Sequence, residues 1–283
     1  MKTFRSSEAL KGALVSFRKK NKKIGFVPTM GSLHEGHLSL VRLAREENKA
    51  VVVSIFVNPL QFGPKEDFWR YPRDLARDSR LLKKEKADFI FAPLPKEFYP
   101  EDFETSVSLS RLSRPLCGAA RPTHFTGVAT GVLKLLNIVM PRTLYLGQKD
   151  YQQFRVIEQM VRDMDFPCRV KAAPIVREAD GLAMSSRNIF LSRTERREAP
   201  FIRRSLEEVE RLVKSGFHDA SKLKQRALEI LKLAPHARLD YLEIVDAQSL
   251  ESVIRLKPGS KILAAIAVFF GKTRLIDNVL IRG

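Results

Sequence analysis

The chain has few of the residues that staple or anchor a protein from outside. Two cysteines in 283 residues, Cys117 and Cys168, are too few for a disulfide framework and suit a chain that folds on its own cores in a reducing compartment. A cytoplasmic location is therefore expected. The longest apolar run, Ile262 to Phe270, is well below the about 18 residues that a membrane span needs, and no membrane association is expected. The opening MKTFRSSEALKGALVSF is broken by Arg5, Glu8 and Lys11, so it lacks the apolar stretch of a secretory signal and reads as a surface helix. Three familiar signatures are missing as well. GxGxxG and GxxxxGK[ST] do not occur, and HExxH fails because the fourth residue after His34 is Leu38, which sets aside dinucleotide, P-loop and zinc-protease readings.

Acidic residues are the minority: 50 Lys and Arg against 32 Asp and Glu give a net charge of +18. Such a balance raises a nucleic-acid partner, and a non-enzymatic RNA-binding protein is one alternative. The basic residues are scattered, however, in runs such as Arg18 to Lys23 and Lys222 to Arg226, mostly on segments of helical period, without the interleaved aromatics that stack on bases. They read as solvated helix faces, and no nucleic-acid partner is expected. A positive field still favours encounter with anionic nucleotides and acids.

What is present begins with Ile24 to Arg45. IGFVPT is a short apolar run, MGSLHEGH a glycine-bearing turn, and LSLVRLAREENK an amphipathic helix, giving strand, turn and helix. Gly31 and Gly36 let backbone approach a nucleotide, and the helix that follows offers unpaired N–H groups at a positive dipole end. His34 and His37, three residues apart on one turn, face the same way and can both donate to phosphate oxygens. A buried structural histidine is the plainer reading of either one alone.

Ala50 to Val57 is a continuously apolar, β-branched run, the pattern of a strand buried on both faces of a parallel sheet. Asn58 and Gln61 follow its carboxyl end, where open α/β sheets bind ligands, although NPLQFGP also reads as loop punctuation. A helix over Asp74 to Glu85 and a strand over Ala87 to Ala92 continue the alternation of a doubly wound sheet. Pro93 to Pro122 is a long excursion with one alternating segment, Thr105 to Leu109, and reads as a lid or interface. Next come a helix over Thr126 to Val139, a strand over Thr143 to Leu146, and GQKDYQQ. There Gly147 permits close approach, Lys149 offers a charge to phosphates, Asp150 can accept from a ribose, and Gln153 sits one turn into the next helix. Lys149 and Asp150 also read as a surface pair. After a helix over Tyr151 to Met164 and a strand over Cys168 to Val176, the mobile-looking loop Met184, Ser185, Ser186 and Arg187 could close over a triphosphate; alone it is only a serine-rich loop. Helices over Arg193 to Lys214 and Ala220 to Lys232, then strands over Asp240 to Val245, Lys261 to Phe270 and Leu275 to Ile281, complete the expected fold. It is an α/β, Rossmann-like doubly wound parallel sheet (residues 1–176) with a smaller C-terminal α+β domain (177–283).

MGSLHEGH, NPLQFGP, RPTHFTGV, GQKDYQQ and MSSRN, in that order and spacing, closely resemble the pantoate–β-alanine ligase family. The HxGH turn by itself resembles that of the nucleotidylyl transferase superfamily. The resemblance implies condensation of (R)-pantoate with β-alanine, cleaving ATP to AMP and pyrophosphate through a pantoyl adenylate, with Mg2+ as cofactor, in a homodimer. It implies that ATP is bound by Met30, Gly31, Ser32, Leu33, His34, Glu35, Gly36 and His37. Gly147, Gln148, Lys149, Asp150 and Val176 join them, with Met184, Ser185, Ser186 and Arg187 as a swinging flap. His34, His37, Lys149 and Arg187 would be catalytic, with His37 a proton donor; Gln61 and Gln153 would hold pantoate, Gln61 also near β-alanine; Asn58 would assist at magnesium or phosphate. Domain 1–176 would bind nucleotide and pantoate, and domain 177–283 would lid the site. The family often has Glu where this chain has Gln148, and another residue where it has Cys117. Another adenylate-forming enzyme of the superfamily, such as a synthetase fragment acting on tRNA, is the nearest rival, though no anticodon-binding extension is expected.

Overall fold

Two apolar runs set the frame: Ile24–Thr29 and Ala50–Ile55 pair in parallel along their whole length, and nearly every residue in both is buried. In the computed structural model, which describes residues 1–64, 66 and 68–282, the chain runs as follows. Strand β1 (Lys2–Phe4), helix α1 (Ser7–Lys19), β2 (Ile24–Thr29), α2 (Glu35–Glu47), β3 (Ala50–Ile55), α3 (Leu75–Lys84), β4 (Phe89–Phe91) and α4 (Pro95–Phe98) come first. Then follow α5 (Cys117–Ala120), α6 (His124–Val139), β5 (Thr143–Gly147), α7 (Tyr151–Asp163) and β6 (Arg169–Ala173). Helices α8 (Arg193–Glu198), α9 (Phe201–Lys214) and α10 (Ala220–Leu231) precede β7 (Ala237–Asp246), β8 (Lys261–Phe270) and β9 (Thr273–Arg282). Short 3-10 turns cover Pro59–Gln61, Gln148–Asp150 and Ser186–Phe190.

The chain divides into two compact units, one of Met1–Ser113, Arg121–Gln148 and Gln153–Pro174, the other of Arg114–Ala120, Lys149–Gln152 and Ile175–Gly283. In the first, the sheet order is β1-β4-β3-β2-β5-β6, parallel throughout. The strand order reverses between β2 and β5, the switch point at which open α/β sheets present a crevice beyond their carboxyl ends. The turns after β2 and after β5 follow the two strands that flank this switch point. Leu38, Val41 and Ala44 of α2 pack with Val27, Val51 and Val53 in one core. In the second unit β7-β8-β9 form an antiparallel sheet. Ile262, Ala264, Ile266 and Val268, alternate residues of β8 that share one face, pack with Ile202, Leu206 and Val209 of α9 and Leu223 and Ala227 of α10.

The expected fold class is the one observed, and several element limits are corrected. Lys2–Phe4 forms an edge strand on β4, so the surface helix expected over the opening segment starts only at Ser7, where Ser6 caps it by accepting the Ala9 N–H at 3.3 Å. The single helix expected over Arg193 to Lys214 is two. Pro200 stands between them as the N-cap of α9, and a proline interrupts an α-helix because it lacks the N–H and its ring crowds the preceding turn. Thr105 to Leu109 forms no strand; Val107 N–H instead donates to Thr130 Oγ1 of α6 at 2.9 Å. The last parallel strand ends at Ala173, just before Pro174. Among the described residues no helix is long and apolar enough to cross a membrane.

Candidate active site

The turn after β2 is held in a backbone form few residues accept. Gly31 has φ +84° and Ser32 φ +51°, the left-handed region that costs a residue with a Cβ. A carboxylate stabilises it: Ser32 N–H and Leu33 N–H donate to the two oxygens of Asp78 on α3, each at 2.9 Å. Asp78 is fully buried. Burial pushes its carboxyl above the usual range, while the two backbone donors and Arg77 pull the other way. Leu33 is buried in the core, anchoring the turn from below.

The two imidazoles then cap α2 in both directions. His34 is the N-cap, and its Nδ1 accepts the Gly36 N–H at 3.1 Å. His37, the third helical residue, accepts the His34 N–H on its own Nδ1 at 3.3 Å, so the pair forms a capping box built of histidines. The ring centroids are 4.1 Å apart. Because each Nδ1 accepts from a backbone N–H, each neutral ring carries its proton on Nε2. Both donors then belong to the positive end of a thirteen-residue helix, where an anion is favoured. Glu35 pairs with Arg42 on the next turns of the helix.

Gln61 reaches the same turn, its Nε2 lying 2.9 Å from Met30 Sδ. Asn58 caps the 3-10 turn that carries Gln61: its Oδ1 accepts from Leu60 N–H at 3.2 Å and Tyr99 Oη at 3.1 Å. Its Nδ2 donates to Gly127 O at 2.9 Å and, more weakly, to Gln61 Oε1 at 3.4 Å. The Asn58 amide is buried and its hydrogen-bonding capacity is spent within the protein, an arrangement that does not suit a metal ligand. Gly147 ends β5, Gln148 opens the 3-10 turn that follows, and Gln153 stands in the first turns of α7.

In the second unit, Val176 and Met184 face one another across a tight hairpin, Met184 N–H donating to Val176 O at 3.0 Å. Gly181, at φ +90°, turns the hairpin. The Met184–Arg187 segment leads into a capped turn: Ser185 Oγ accepts the Arg187 N–H at 3.2 Å and so caps the 3-10 turn Ser186–Phe190. Asn188 Nδ2 ties it to Glu178 at 2.6 Å and to Ala183 O at 3.2 Å. Neighbouring residues of β9 join this hairpin to the lysine turn. Asp277 takes both terminal nitrogens of Arg177, at 2.7 and 3.0 Å, and Asn278 Nδ2 donates to Lys149 O at 2.8 Å. Lys149 and Asp150 occupy the 3-10 turn at that anchor.

The structure thus gathers Met30 to His37 with Gln61 and Asn58 in one unit, and Val176 and Met184 to Arg187 with the Lys149 and Asp150 turn in the other. Sequence reading missed Asp78, Arg121 and His124. Asp78 carried no signal, being one carboxylate in a charged helix far along the chain from the turn it holds. RPTHFTGV did mark Arg121 and His124, but without a role.

A model of the family described as pantoate-beta-alanine ligase matches residues 2–280. The chain is 52% identical over 281 residues to the pantothenate synthetase of Thermotoga neapolitana, covering 99% of this chain and 100% of that one. Among solved structures it resembles the pantothenate synthetase of Thermus thermophilus, with a TM-score of 0.93, 45% identity and 99% of each chain covered. It also resembles the pantoate-beta-alanine ligase of Francisella tularensis, solved in complex with beta-gamma ATP and beta-alanine. There the TM-score is 0.81 and the identity 36%, over 99% of this chain and 97% of that one. With the paired imidazole caps, the left-handed glycine turn and the expected sheet order all in place, the sequence likeness extends to the whole architecture: the chain belongs to the pantoate–β-alanine ligase family.

Proposed function

We propose that the chain carries out its family's ATP-dependent ligation of (R)-pantoate to β-alanine in two half-reactions through a pantoyl adenylate. In the first, a pantoate carboxylate oxygen attacks the α-phosphorus of ATP; a P–O bond forms and the bond to pyrophosphate breaks. In the second, the β-alanine amine attacks the activated carbonyl; the amide C–N bond forms, the C–O bond to AMP breaks and the amine gives up a proton. The first step is needed because a free carboxylate would have to expel oxide, whereas its adenylate expels AMP.

The observation that carries this reading is the reciprocal histidine cap. With both Nδ1 atoms engaged by backbone N–H groups, His34 and His37 present Nε2–H donors at the positive end of α2 and can stabilise phosphate oxygens as two anions approach. His37 is also the proposed proton donor. Lys149 and Arg187 supply positive charge to the same phosphates, and Ser185 and Ser186 supply hydroxyl donors as the flap. Met30, Gly31, Ser32, Leu33, Glu35 and Gly36 complete the nucleotide's turn, with Gly147, Gln148, Asp150, Val176 and Met184 as its other contacts. Gln61 and Gln153 suit the pantoate hydroxyls, since a carboxamide both donates and accepts; Asn58 serves the substrate through Gln61, which it orients. In this division of labour residues 1–176 bind nucleotide and pantoate, and residues 177–283 supply the lid.

Magnesium enters the proposal with the nucleotide. Among the described residues no three His, Cys, Asp or Glu side chains gather as a metal cage. Mg2+ commonly keeps its waters and is held largely by substrate phosphates, whose charge it neutralises. A homodimer and a cytoplasmic location complete the reading.

The test is ATP–pyrophosphate exchange with the purified chain, followed by addition of β-alanine. Exchange that requires pantoate, and AMP and pantothenate that appear only with β-alanine present, are expected. Exchange driven by an amino acid, or occurring without pantoate, would overturn the adenylate reading. Lys149→Ala should lower exchange by roughly 10²-fold, as loss of a transition-state contact does.

A further inference from the structure

Of the motifs that mark the sequence, RPTHFTGV has no part in the reading above, yet its residues converge on a single peptide, the one that carries Gln61. Arg121 Nη2 donates to the Gln61 carbonyl at 3.2 Å, and the same guanidinium is fixed by Glu66, with Nε 2.6 Å from Oε1. His124 Nδ1 lies 2.8 Å from that carbonyl. A carbonyl oxygen only accepts, so Nδ1 of His124 carries the proton, the opposite tautomer to the one the backbone imposes on His34 and His37. Behind the peptide, Gly127 lets α6 approach without a side chain: a Cβ there would stand 2.0 Å from Leu60 O and 2.6 Å from Gln61 N.

Asn58 and Met30 touch the Gln61 side chain, and the grip adds a hold on its backbone. Its 3-10 turn has only two long backbone bonds, Gln61 N–H to Asn58 O and Phe62 N–H to Pro59 O, each at 3.3 Å. Such turns have poorer hydrogen-bond geometry than α-helix. Two donors on one carbonyl occupy both of its lone-pair directions, and the peptide plane cannot rotate without losing them. We infer that His124 and Arg121 are positioning residues for the ligation, holding the Gln61 peptide so that its carboxamide is aimed at pantoate before the substrate arrives. This rests on the assignment of Gln61 to pantoate.

The experiment is steady-state pantothenate formation by the full chain, with pantoate and ATP varied in turn, for Gln61→Ala, His124→Ala, His124→Asn and the Gln61→Ala/His124→Ala double variant. Asparagine places its Nδ2 donor close to where histidine carries Nδ1, so it should restore the bond. Gln61→Ala and His124→Ala should each raise the pantoate KM about tenfold or more, since misplacing a binding group by about 1 Å can cost up to 10²-fold, and leave the ATP KM within about twofold. His124→Asn should recover most of the loss. The double variant should be no worse than Gln61→Ala alone, because residues acting through one another are not additive. Additive losses, equal rises in both KM values, or failure of His124→Asn to recover would overturn the inference. If Gln61→Ala shifts the pantoate KM and His124→Ala does not, the positioning role falls and the Gln61 assignment stands. If Gln61→Ala leaves it unchanged, the assignment itself falls and takes this inference with it. Should His124→Ala fail to fold, Arg121→Met removes the other donor and must show the same selective rise in pantoate KM.

Discussion

His34 and His37 satisfy each other's end of the same helix: the Nδ1 of His34 takes the Gly36 N–H, and the Nδ1 of His37 takes the His34 N–H. A capping box usually employs serine or threonine with glutamate. Here imidazoles do the capping with one nitrogen and keep a donor on the other, so the residues that stabilise the turn are also the ones proposed to carry its chemistry.

That double use can be separated by substitution. His37→Asn offers an acceptor near the Nδ1 position but no Nε2–H, whereas His37→Ala offers neither. His37→Ala should lose about 1 kcal/mol of stability, the usual effect of removing a cap, and His37→Asn should stay close to the parent in thermal unfolding. Both should lose roughly 10²-fold in pantoate-dependent ATP–pyrophosphate exchange. Near-normal exchange by His37→Asn would show that capping alone is required.

Asp78 should behave as part of the turn proposed to bind the nucleotide, although it lies on another helix. Its two oxygens hold Ser32 N–H and Leu33 N–H, and asparagine has a single acceptor oxygen. Asp78→Asn therefore leaves one buried N–H unsatisfied, a loss of about 1–3 kcal/mol, and frees the left-handed Gly31–Ser32 backbone. We expect a lower Tm and a raised KM for ATP. A variant with normal ATP KM would mean that the turn keeps its form without the carboxylate.

The strand–turn–helix unit and the parallel alternation were readable because each rests on local period: buried β-branched runs for β2 and β3, a 3.6-residue period for α2. The site contacts that escaped are tertiary. Nothing near Asp78 in sequence indicates that its carboxylate closes a turn more than 40 residues earlier. His124 stood within a noted motif, but its bond to Gln61 O depends on how closely α6 and the 3-10 turn approach, which Gly127 permits and no period encodes. The contacts of the Ser185–Arg187 turn escaped for another reason. Its serines read as loop by composition, whereas the cap made by Ser185 and the tether made by Asn188 need partners the local sequence does not name.

The Arg121–Glu66 pair predicts an acid-sensitive contribution. Burial raises the Glu66 carboxyl, but the hydrogen bond and charge of Arg121, with help from the Gly63 N–H and His124, hold it below its ordinary 4.5. A carboxylate whose folded pKa is depressed contributes stability above its unfolded value and loses it as pH falls through the folded one. The stability difference between the parent and Glu66→Gln should therefore be greatest above about pH 5 and shrink steadily below 4.5, as read by urea unfolding between pH 6 and 3. A difference independent of pH would mean that Glu66 acts by packing and not by charge.

Asp277 offers a test of how the second unit holds the residues proposed to contact the nucleotide. Its side chain is almost wholly buried and takes both terminal nitrogens of Arg177, while the next residue, Asn278, holds the Lys149 carbonyl. Removing one partner of a buried pair leaves the other charge uncompensated, at a cost of about 3–5 kcal/mol where burial is complete. Arg177 keeps about a fifth of its side chain exposed, so Asp277→Asn should fall below that range, near 2 kcal/mol. Releasing Arg177 also loosens the hairpin that pairs Val176 with Met184. If this hairpin and the lysine turn form one ATP-binding assembly, the variant should lose affinity for ATP while the pantoate KM stays near the parent value. Stability lost with ATP affinity intact would make the pair a prop of the fold alone; loss of both would tie the Ser185–Arg187 turn to β9 through Asp277.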